Sequence, residues 1–331
     1  MILDGRSAAA VDEAARALAA GSLVAFPTET VYGLGADAEN GTAVAKIFAA
    51  KGRPSDHPLI VHVADAGTAL HFASSVPGFA HLLIEAFWPG PLTLILPRRP
   101  SVAAAAAGGQ DSIGLRCPSH PVALTLLQAC NRCEPPVRGL AGPSANLFGR
   151  VSPTTAAHVQ SEFGDSLAVL DGGPCEVGIE STIVDCTRER PVLLRPGVLT
   201  RAQLEAACGQ RLLDPHELAA PAPRASGTLE AHYAPAAKLR LMDARALATA
   251  LDLLGPDAPA LAVYARIIVR TPSARVLTRR MPDDAREVAR QLFAVLRDFD
   301  ARGVPLIWVE TPPADPEWDG VRDRLQRAAA G

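Results

Sequence analysis

The alternation of short β-rich runs with amphipathic helical stretches is the feature that most constrains the fold of this chain. Over the first two thirds of the sequence, apolar runs are separated by stretches whose apolar residues recur with helical spacing. This pattern is typical of an α/β sheet with helices packed on it. Helices are predicted from Ser7 to Gly21, from Thr42 to Gly52 and from Thr200 to Gly209. The predicted strands are SLVAFP, LIVHV, LTLILP, SIGLRCP, LAVLDG, STIVDC and VLLRP.

A Pro- and Ala-rich stretch divides the sequence into two parts. A chain of 331 residues is long enough for two domains. Residues 209–237 lack clean periodicity and have the composition of a linker, although they end in the unusually specific tetrapeptide HYAP. A second α/β pattern follows, which is Rossmann-like but has no Gly-rich phosphate loop. We predict domains at 1–208 and 238–331, joined by the linker at 209–237.

Charge and hydropathy exclude several classes of protein. The net charge of −3 and the pI near 6.2 argue against a chain that coats nucleic acid, although they leave room for a local basic groove. The N-terminus carries Asp4, Asp12 and Glu13 where a secretion signal needs basic and then apolar residues. Apolar runs fall well short of the roughly 20 residues that span a bilayer. We therefore expect a cytoplasmic protein without a transmembrane helix.

The cysteines leave one alternative open. Six cysteines in a chain of this length are too sparse for a disulfide scaffold. Cys117, His120, Cys130 and Cys133 have a loosely zinc-like spacing, but His120 lies in a Pro-flanked turn and Cys130 on an apolar helix. Buried thiols are the default for such residues. We assign no metal ligand to a protein side chain.

A polar loop follows the first apolar strand of the large α/β pattern. The sequence contains neither a P-loop motif nor a strand-anchored G-x-G-x-x-G, so a nucleotide would have to be held by other loops. Residues 27–35, PTETVYGLG, carry four polar side chains in what reads as a turn kept compact by two glycines. These residues are Thr28, Glu29, Thr30, Tyr32, Gly33 and Gly35.

A second loop, KGRPSDHPLIVHV, carries two cations next to a helix end. Lys51 and Arg53 lie beside Gly52, and the chain has only three lysines, so lysine is not the default basic residue here. Two such cations could bind a triphosphate. The alternative is charge complementarity at a helix C-terminus, which is worth about 0.3–1 kcal/mol. We expect Lys51 to lie at an exposed helix end, where its removal would leave the fold intact. His62 lies inside an apolar strand, where a satisfied core imidazole is usual.

Three further segments add cations, hydroxyls and an amide. Arg116 and Arg195 each end an apolar strand, where a charge is not buried unless an anion or acid pairs with it. The hydroxyl and amide groups could bind phosphate, ribose or an amino acid, although serines in loops commonly only form turns. These polar residues are Ser144, Asn146, Ser152 and Ser181.

Seven motifs, taken in order, resemble the YrdC family of threonylcarbamoyl-AMP synthases over about residues 10–205. Each motif alone is weak, but a chance match to all seven in one order is very improbable. HYAP at 232–235 and the second α/β pattern resemble the long form of the family. The seven motifs are PTETVYGLG, KGRP followed by HPLIVH, WPGPLT, LRCPSHP, PSAN then SPT, ESTIVD, and LLRPG.

The resemblance implies both a fold and a reaction. The fold is a twisted YrdC-like α/β sheet with a concave, positively charged cavity, plus a smaller C-terminal Rossmann-like α/β domain. The reaction condenses L-threonine, bicarbonate and ATP to threonylcarbamoyl-AMP and pyrophosphate, with Mg²⁺ accompanying the ATP. The adenylate would serve the formation of N6-threonylcarbamoyladenosine in tRNA. Implied partners are a tRNA threonylcarbamoyltransferase complex that receives the adenylate, and tRNA itself; no membrane is involved.

The resemblance also implies site residues by their position in the motifs. Lys51 and Arg53 would be catalytic through neutralisation of phosphate charge, without a covalent enzyme intermediate. Tyr233 in the linker would close over the cavity. The implied L-threonine site is Thr30, His62, Arg116, Gly142 and Ser181. The implied ATP site is Lys51, Arg53, His57, Ser112, Ser144, Asn146, Ser152, Arg195 and Tyr233.

Two departures from the family pattern and two alternative functions stand beside this interpretation. SGTLEA precedes HYAP where the long form usually has a Pro-Gly pair, and Gly142 stands where small apolar residues such as alanine are usual. One alternative is an RNA-binding module, whose binding would weaken steeply with salt and ignore ATP. The other is a carbamoyl-adenylate-forming, carbamoyltransferase-like enzyme, although such chains are longer and carry zinc-finger and acylphosphatase segments.

Overall fold

Two compact units make up the part of the chain that the computed structural model describes, which is residues 1–256, 258–271 and 273–331. The residues predicted to form a linker are divided between the units, because residues up to 228 lie in the first and those from 229 in the second. The first unit comprises Met1–Phe148 and Ser152–Thr228, and the second comprises Gly149–Val151 and Leu229–Gly331.

Ten strands of the described residues form one mixed sheet in the first unit. The strands are β1 (Ile2–Asp4), β2 (Val24–Phe26), β3 (Gly33–Asp37), β4 (Ile60–His62), β5 (Leu92–Pro97), β6 (Ser112–Arg116), β7 (Leu140–Ala141), β8 (Ala168–Asp171), β9 (Thr182–Asp185) and β10 (Val192–Arg195). Their order in the sheet is β1-β8-β2-β3-β7-β4-β6-β5-β9-β10. The order places β4, β6, β5 and β9 side by side, so the polar residues at the ends of these strands come close together.

Helices cover this sheet, and most begin at a side-chain cap. Ser7, Asn40 and Thr200 each accept a hydrogen bond from a backbone N–H of the first turn, and Thr200 forms the predicted capping box with Gln203. Gly52 ends its helix in the left-handed conformation, with a φ of 62°. The helices are α1 (Ala8–Ala19), α2 (Gly41–Lys51), α3 (Ala66–Phe72), α4 (Gly78–Phe87), α5 (Pro121–Asn131), α6 (Ala156–Phe163) and α7 (Arg201–Cys208).

The residues Gly33 and Gly35 lie in a strand, and the prediction that they belong to a turn is wrong. Strand β3 begins at Gly33 and pairs antiparallel with β2. A Cβ atom on Gly33 would lie 3.1 Å from Cζ of Phe26, and one on Gly35 would lie 3.0 Å from Cε1 of the same ring. The glycines therefore make room for the Phe26 ring on the sheet surface, so that the turn is confined to the residues before them.

The second unit contains a four-stranded sheet, among its described residues, with all strands parallel. Its strands are β11 (Lys238–Met242), β12 (Leu261–Ala265), β13 (Val276–Arg280) and β14 (Leu306–Glu310), in the order β11-β14-β12-β13. Its helices are α8 (Ala244–Asp252), α9 (Ala285–Ala301) and α10 (Asp319–Ala329). The predicted α/β class and the smaller C-terminal α/β unit are confirmed. Strand β13 was not predicted, because its sequence VLTRR ends in exposed polar residues.

Helix α9 shows how the sequence dictates the packing of the second unit. Its apolar side chains Val288, Leu292, Leu296 and Phe299 recur every three or four residues, and these side chains and Phe293 are all buried. Its charged residues lie between them. Across all the residues that the structure describes, no helix is both long enough and apolar enough to cross a membrane.

Candidate active site

Arg116 and Glu29 form a buried ion pair where β6 ends. The Arg116 guanidinium lies 2.5 Å from Oε1 of Glu29, and the two side chains are only 4% and 6% exposed. Nη1 of the same guanidinium donates to the hydroxyl of Thr30 at 2.8 Å. The second carboxylate oxygen of Glu29 accepts from the backbone N–H of Ser119 at 3.1 Å. The acid that a buried Arg116 requires is therefore Glu29, a polar residue of the first loop that is not among the predicted ligands.

His62 lies next to this pair and against Gly142. It occupies the position opposite Arg116 in the parallel pairing of β4 with β6. A Cβ atom at Gly142 would lie 2.8 Å from Nδ1 of His62 and 3.1 Å from Cζ of Phe26, so a side chain at position 142 would require the imidazole to shift. Among the described residues, Nδ1 of His62 finds no hydrogen-bond partner. Burial, and secondly the Arg116 cation, lowers the pKa of His62 to about 3.

The neutral, buried state of His62 predicts a loss of stability in weak acid. The ordinary imidazole pKa of 6.5 applies to the unfolded chain, whereas folding lowers the pKa of His62 to about 3. As the pH falls below 6.5, His62 therefore binds a proton in the unfolded state but not in the folded state. We expect His62 alone to reduce the free energy of unfolding by about 2 kcal/mol between pH 6.5 and pH 5. Well above pH 6.5 His62 is neutral in both the folded and the unfolded state, so this loss of stability is absent.

Urea denaturation of the unsubstituted protein and of His62→Gln, at pH 7.5 and at pH 5, measures this contribution. Glutamine cannot be protonated, so the variant should lose less stability between the two pH values. Burial also lowers the pKa of His57 and His120, but these residues titrate in both proteins and cancel in the difference. An equal acid-induced loss in the two proteins would contradict the prediction.

Lys51 is buried, and the expectation that it lies at an exposed helix end is wrong. It is the last residue of α2 and is 3% exposed. Its ammonium group donates to the carbonyl of Ser144 at 2.6 Å and to the carbonyl of Asn146. Burial, and secondly the Arg53 cation, lowers the pKa of Lys51. The lysine thus fixes the backbone of the PSAN motif from inside the fold.

Arg53 and His57 share an aromatic neighbour. The guanidinium carbon of Arg53 lies 5.7 Å from the centroid of the Phe148 ring, and the His57 ring lies 5.6 Å from it in an edge-on arrangement. Arg53 also donates to the carbonyl of Pro58 at 3.0 Å. Phe148 follows the PSAN motif, so this contact brings the KGRP loop and the PSAN loop together.

Arg195 and Ser181 meet where β9 and β10 lie side by side. Two guanidinium nitrogens of Arg195 donate to the carbonyl of Ser181 at 3.1 and 2.9 Å, and one lies 3.2 Å from its hydroxyl. The Ser181 hydroxyl also lies 2.8 Å from the hydroxyl of Thr93 on β5. Next along the chain, Glu180 forms a hydrogen bond to the hydroxyl of Ser152. Predicted residues from the SPT, ESTIVD and LLRPG motifs therefore form one polar network.

A recess of about 280 Å³, partly open to solvent, lies on the sheet beside this network. Thr93, Ser112 and Gly114 of the sheet are among the residues that line it. Three residues from the predicted linker complete the lining. The lining residues are Pro58, Leu59, Ile60, Thr93, Ile95, Gln110, Ser112, Gly114, Ile183, Arg224, Ala225 and Ser226.

Hydrogen bonds and an ion pair hold the first part of the linker against this recess. The side-chain amide of Gln110 accepts from the backbone N–H of Arg224 at 2.8 Å and donates to its carbonyl at 3.1 Å. The guanidinium of Arg224 pairs with Asp56 at 2.6 Å. Ser226 follows, and its carbonyl accepts from Arg195 at 2.8 Å while its hydroxyl lies 3.5 Å from Arg53. Two predicted ATP ligands therefore contact the linker directly.

Tyr233 lies in the second unit. It is 1% exposed, its ring stacks on Phe293 with centroids 5.6 Å apart, and the guanidinium carbon of Arg324 lies 5.3 Å from its centroid. Its φ of 63° is in the left-handed region, which a non-glycine residue rarely adopts. Its role in ATP binding stays a prediction.

The zinc-like residues are arranged as ordinary structural residues. Nδ1 of His120 accepts a hydrogen bond from the backbone N–H of Val122 at 3.2 Å, which caps helix α5. Cys117 and Cys130 are buried thiols. Within residues 1–256, 258–271 and 273–331, no group of three or more His, Cys, Asp or Glu side chains is placed to hold a metal ion.

The candidate site also contains residues that sequence reasoning missed. Glu29 stands inside the first polar loop, and the need of Arg116 for a counter-ion was the signal that could have identified it. Glu180 directly precedes Ser181, but nothing in the sequence relates it to Ser152. Thr93 lies in an apolar strand, and because β-branched side chains are common in strands, its presence there does not indicate a functional role. The Ser226 contact gives no sequence signal, because it depends on the path of the linker.

Two family profiles cover nearly the whole chain. Residues 16–197 match the profile of the Sua5, YciO and YrdC proteins, which is described as telomere recombination. Residues 199–330 match the profile described as the C-terminal domain of threonylcarbamoyl-AMP synthase.

Proteins from an archaeon and a bacterium are similar to this chain along most of their length. A threonylcarbamoyl-AMP synthase from Pyrococcus abyssi is 37% identical over 318 residues, which is 93% of this chain and 91% of that protein. One from Bacillus subtilis is 37% identical over 340 residues, which is 97% of this chain and 93% of that protein. The solved structure of P. abyssi Sua5 complexed with L-threonine has a TM-score of 0.88 at 35% identity, covering 99% of this chain and 97% of that one.

Proposed function

The chain belongs to the Sua5, YciO and YrdC family of threonylcarbamoyl-AMP synthases, and we infer from this membership that it condenses L-threonine, bicarbonate and ATP to threonylcarbamoyl-AMP and pyrophosphate. It is an enzyme of the nucleotidyl-transfer class. The observation that carries this conclusion is the 37% identity to threonylcarbamoyl-AMP synthases across more than nine tenths of the chain. Both the sheet that holds the polar network and the C-terminal unit are included in the match.

We propose that the Arg116 side of the candidate site binds L-threonine. The carboxylate of the amino acid would receive the remaining hydrogens of the Arg116 guanidinium, and Glu29 would hold that guanidinium in place. Thr30 and Ser181 offer hydroxyl groups, and neutral His62 offers a nitrogen without a partner among the described residues. Gly142 supports this arrangement, because it gives the His62 ring its space.

We propose that the Lys51 side binds ATP. Lys51, Arg53 and Arg195 place positive charge near one another around loops that also carry His57, Ser112, Ser144, Asn146 and Ser152. A carbamate, formed from the threonine amine and bicarbonate with loss of one water molecule, would attack the α-phosphorus through an oxygen. The bond from the α-phosphorus to the bridging oxygen would break, and pyrophosphate would leave with that electron pair. The residues would act by positioning the reactants and neutralising phosphate charge.

Magnesium belongs to the proposal as part of the ATP substrate. Mg²⁺ usually keeps several waters and binds through substrate phosphates and few protein ligands. It would supply further neutralisation of charge on the phosphates.

We propose that the linker at 209–237 shields the product. A mixed anhydride such as threonylcarbamoyl-AMP is sensitive to water, so a covered site would limit hydrolysis. The contacts of Arg224 with Gln110 and Asp56 support this role, because they hold the linker over the recess. SGT in place of a Pro-Gly pair suits these contacts, since Ser226 supplies both a carbonyl and a hydroxyl to neighbouring arginines.

We further propose that the adenylate passes to a tRNA threonylcarbamoyltransferase complex in the cytoplasm. The product carries an activated acyl group, and a second enzyme must transfer this group to N6 of an adenosine in tRNA. Direct contact with tRNA is included in this proposal.

Pyrophosphate release with each of the twenty amino acids, with and without bicarbonate, tests the proposed function. We expect release only when threonine, bicarbonate and ATP are all present. Serine lacks one methyl group and should react at least tenfold more slowly, which is the discrimination that a methyl-sized pocket provides. Equal rates with serine and threonine would contradict the proposed pocket. Salt-sensitive tRNA binding that ignores ATP, without pyrophosphate release, would favour the RNA-binding alternative.

A further inference from the structure

A three-residue segment of an active-site loop belongs to the second unit. Gly149–Val151 is part of that unit, although the residues on both sides of it along the chain belong to the first. The segment joins Asn146 of the PSAN motif to Ser152 of the SPT motif, and both residues are proposed ATP ligands. The placement of these three residues therefore limits where the two ligands can lie.

Side chains of helix α9 hold two residues of the segment. The guanidinium of Arg297 donates a hydrogen bond to the carbonyl of Val151. The carboxylate of Asp300 lies 3.7 Å from the guanidinium of Arg150. Val151 itself is buried. The two α9 residues are separated by three positions, so they face the same side of the helix.

The backbone around HYAP holds the remaining residue. The N–H of Ala234 donates to the carbonyl of Gly149 at 2.8 Å. Asp300 also accepts from the N–H of Ala236 at 2.8 Å and of Ala237 at 3.1 Å, so the carboxylate fixes this stretch as well. Each residue of Gly149–Val151 thus has its own contact within the second unit.

The residue that precedes the segment touches the proposed triphosphate cations. The N–H of Phe148 donates to the carbonyl of Lys51 at 2.9 Å. The Phe148 ring lies against Arg53 and His57. A shift of Gly149 would move Phe148 through the peptide bond, and would disturb these neighbours. Loops that are not anchored are mobile, so the anchor decides how well this loop is pre-organised.

We propose that Arg297 and Asp300 are positioning residues for the ATP site, acting on Gly149–Val151 through the carbonyl of Val151 and the side chain of Arg150. The proposal rests on the proposed function. It assigns to the C-terminal unit a task in catalysis, which is to hold the loop between two ATP-binding motifs in its productive conformation. Neither residue belongs to the proposed ATP or L-threonine ligands.

Steady-state kinetics of the full-length Arg297→Ala and Asp300→Asn variants test the proposal. We expect Arg297→Ala to raise the KM for ATP about tenfold, because a loop misplaced by about 1 Å can lower rates by up to about a hundredfold. The KM for threonine should stay within about twofold of the unsubstituted value, since the proposed threonine residues lie outside the loop. Arg297→Lys should recover most of the ATP affinity, because lysine can donate one bond to the Val151 carbonyl. Arg290→Ala, an exposed arginine on the same helix, serves as the matched control.

Hydrogen exchange of the amides at residues 144–152 provides a second measurement that needs no turnover. We expect faster amide exchange in both variants than in Arg290→Ala. If Arg297→Ala does not fold, the comparison of Asp300→Asn with Arg290→Ala tests the proposal. An unchanged KM for ATP with unchanged exchange would overturn the proposal. Parallel increases in both KM values together with a lower melting temperature would also overturn it, since they indicate general destabilisation. Failure of the proposed function can be distinguished from failure of this proposal. In the first case the unsubstituted protein releases no threonine-dependent pyrophosphate, whereas hydrogen exchange and equilibrium ATP binding still show whether the two residues hold the loop.

Discussion

Replacing Lys51 by methionine is expected to abolish threonine-dependent pyrophosphate release and to lower the stability of the first unit at the same time. Methionine keeps most of the buried aliphatic volume, so a cavity contributes little. The ammonium group is lost, and the carbonyls of Ser144 and Asn146 lose their buried donor. Leaving such acceptors unsatisfied costs about 1–3 kcal/mol each, so we expect a loss of about 2–4 kcal/mol.

The loss of activity follows from two effects of the same substitution. One cation near the proposed triphosphate disappears, and the PSAN backbone loses the group that fixes it. Removing one preorganised electrostatic contact typically lowers kcat by about 100- to 1000-fold, and we expect at least this loss. Burial and the Arg53 cation lower the pKa of free Lys51, and a bound triphosphate would favour its charged form again. Methionine cannot supply that charge at any pH.

Lys46→Met on the same helix is the matched control for Lys51→Met. Lys46 is exposed and donates to the carbonyl of Gly21 at 2.6 Å, so it also has one carbonyl partner but lies outside the network. We expect its removal to change stability by less than about 0.5 kcal/mol and activity by less than about twofold. Urea denaturation and pyrophosphate release on both variants give the comparison. An active Lys51→Met protein, or one as stable as Lys46→Met, contradicts the placement of Lys51 inside the site.

The burial of Lys51 shows which part of the site the sequence could predict. The motif order located the loops correctly, because strands, caps and turns depend on neighbouring residues. Gly52 ended the helix where predicted, and local rules then favour solvent for a lysine beside it. The partner of the lysine is more than ninety residues away in the chain. Nothing local encodes that approach, so the environment of Lys51 could not be predicted from the sequence, and its role in the site stays a prediction.

The same reasoning applies to Gly33 and to Glu29. Two glycines near a polar run favour a turn, and only the position of the Phe26 ring reveals that they belong to a strand. An arginine at the end of an apolar strand predicts an anionic partner, but the sequence offers many acids. Glu29 lies 87 positions before Arg116, and the sheet alone brings them together.

Arg116→Met is expected to abolish threonine binding and to destabilise the fold, and a double substitution separates these two effects. The single change leaves Glu29 buried without its cation, which typically costs about 3–5 kcal/mol. Glu29→Gln removes the charge but keeps an oxygen that can accept from Arg116. In the double variant neither charge remains, and we expect stability to return to within about 1 kcal/mol of the unsubstituted protein.

Activity should not return with stability in the double variant. The proposed partner of the threonine carboxylate is still missing, so we expect threonine binding to stay at least about 100-fold weaker. Isothermal titration with threonine and urea denaturation on the four proteins provide both quantities. Arg132→Met is the control, because its pair with Asp12 is exposed and 4.0 Å long, and its loss should change stability by less than about 1 kcal/mol.

The outcome of this cycle distinguishes a binding arginine from a structural one. If the double variant binds threonine as well as the unsubstituted protein, the Arg116–Glu29 pair serves the fold and the amino acid is held elsewhere. If stability recovers and binding does not, Arg116 has a second partner besides Glu29, and a carboxylate in the same pocket is the anion that its remaining hydrogens can serve. A buried ion pair that could be replaced without loss of stability is then kept for recognition, since stability alone would not require it.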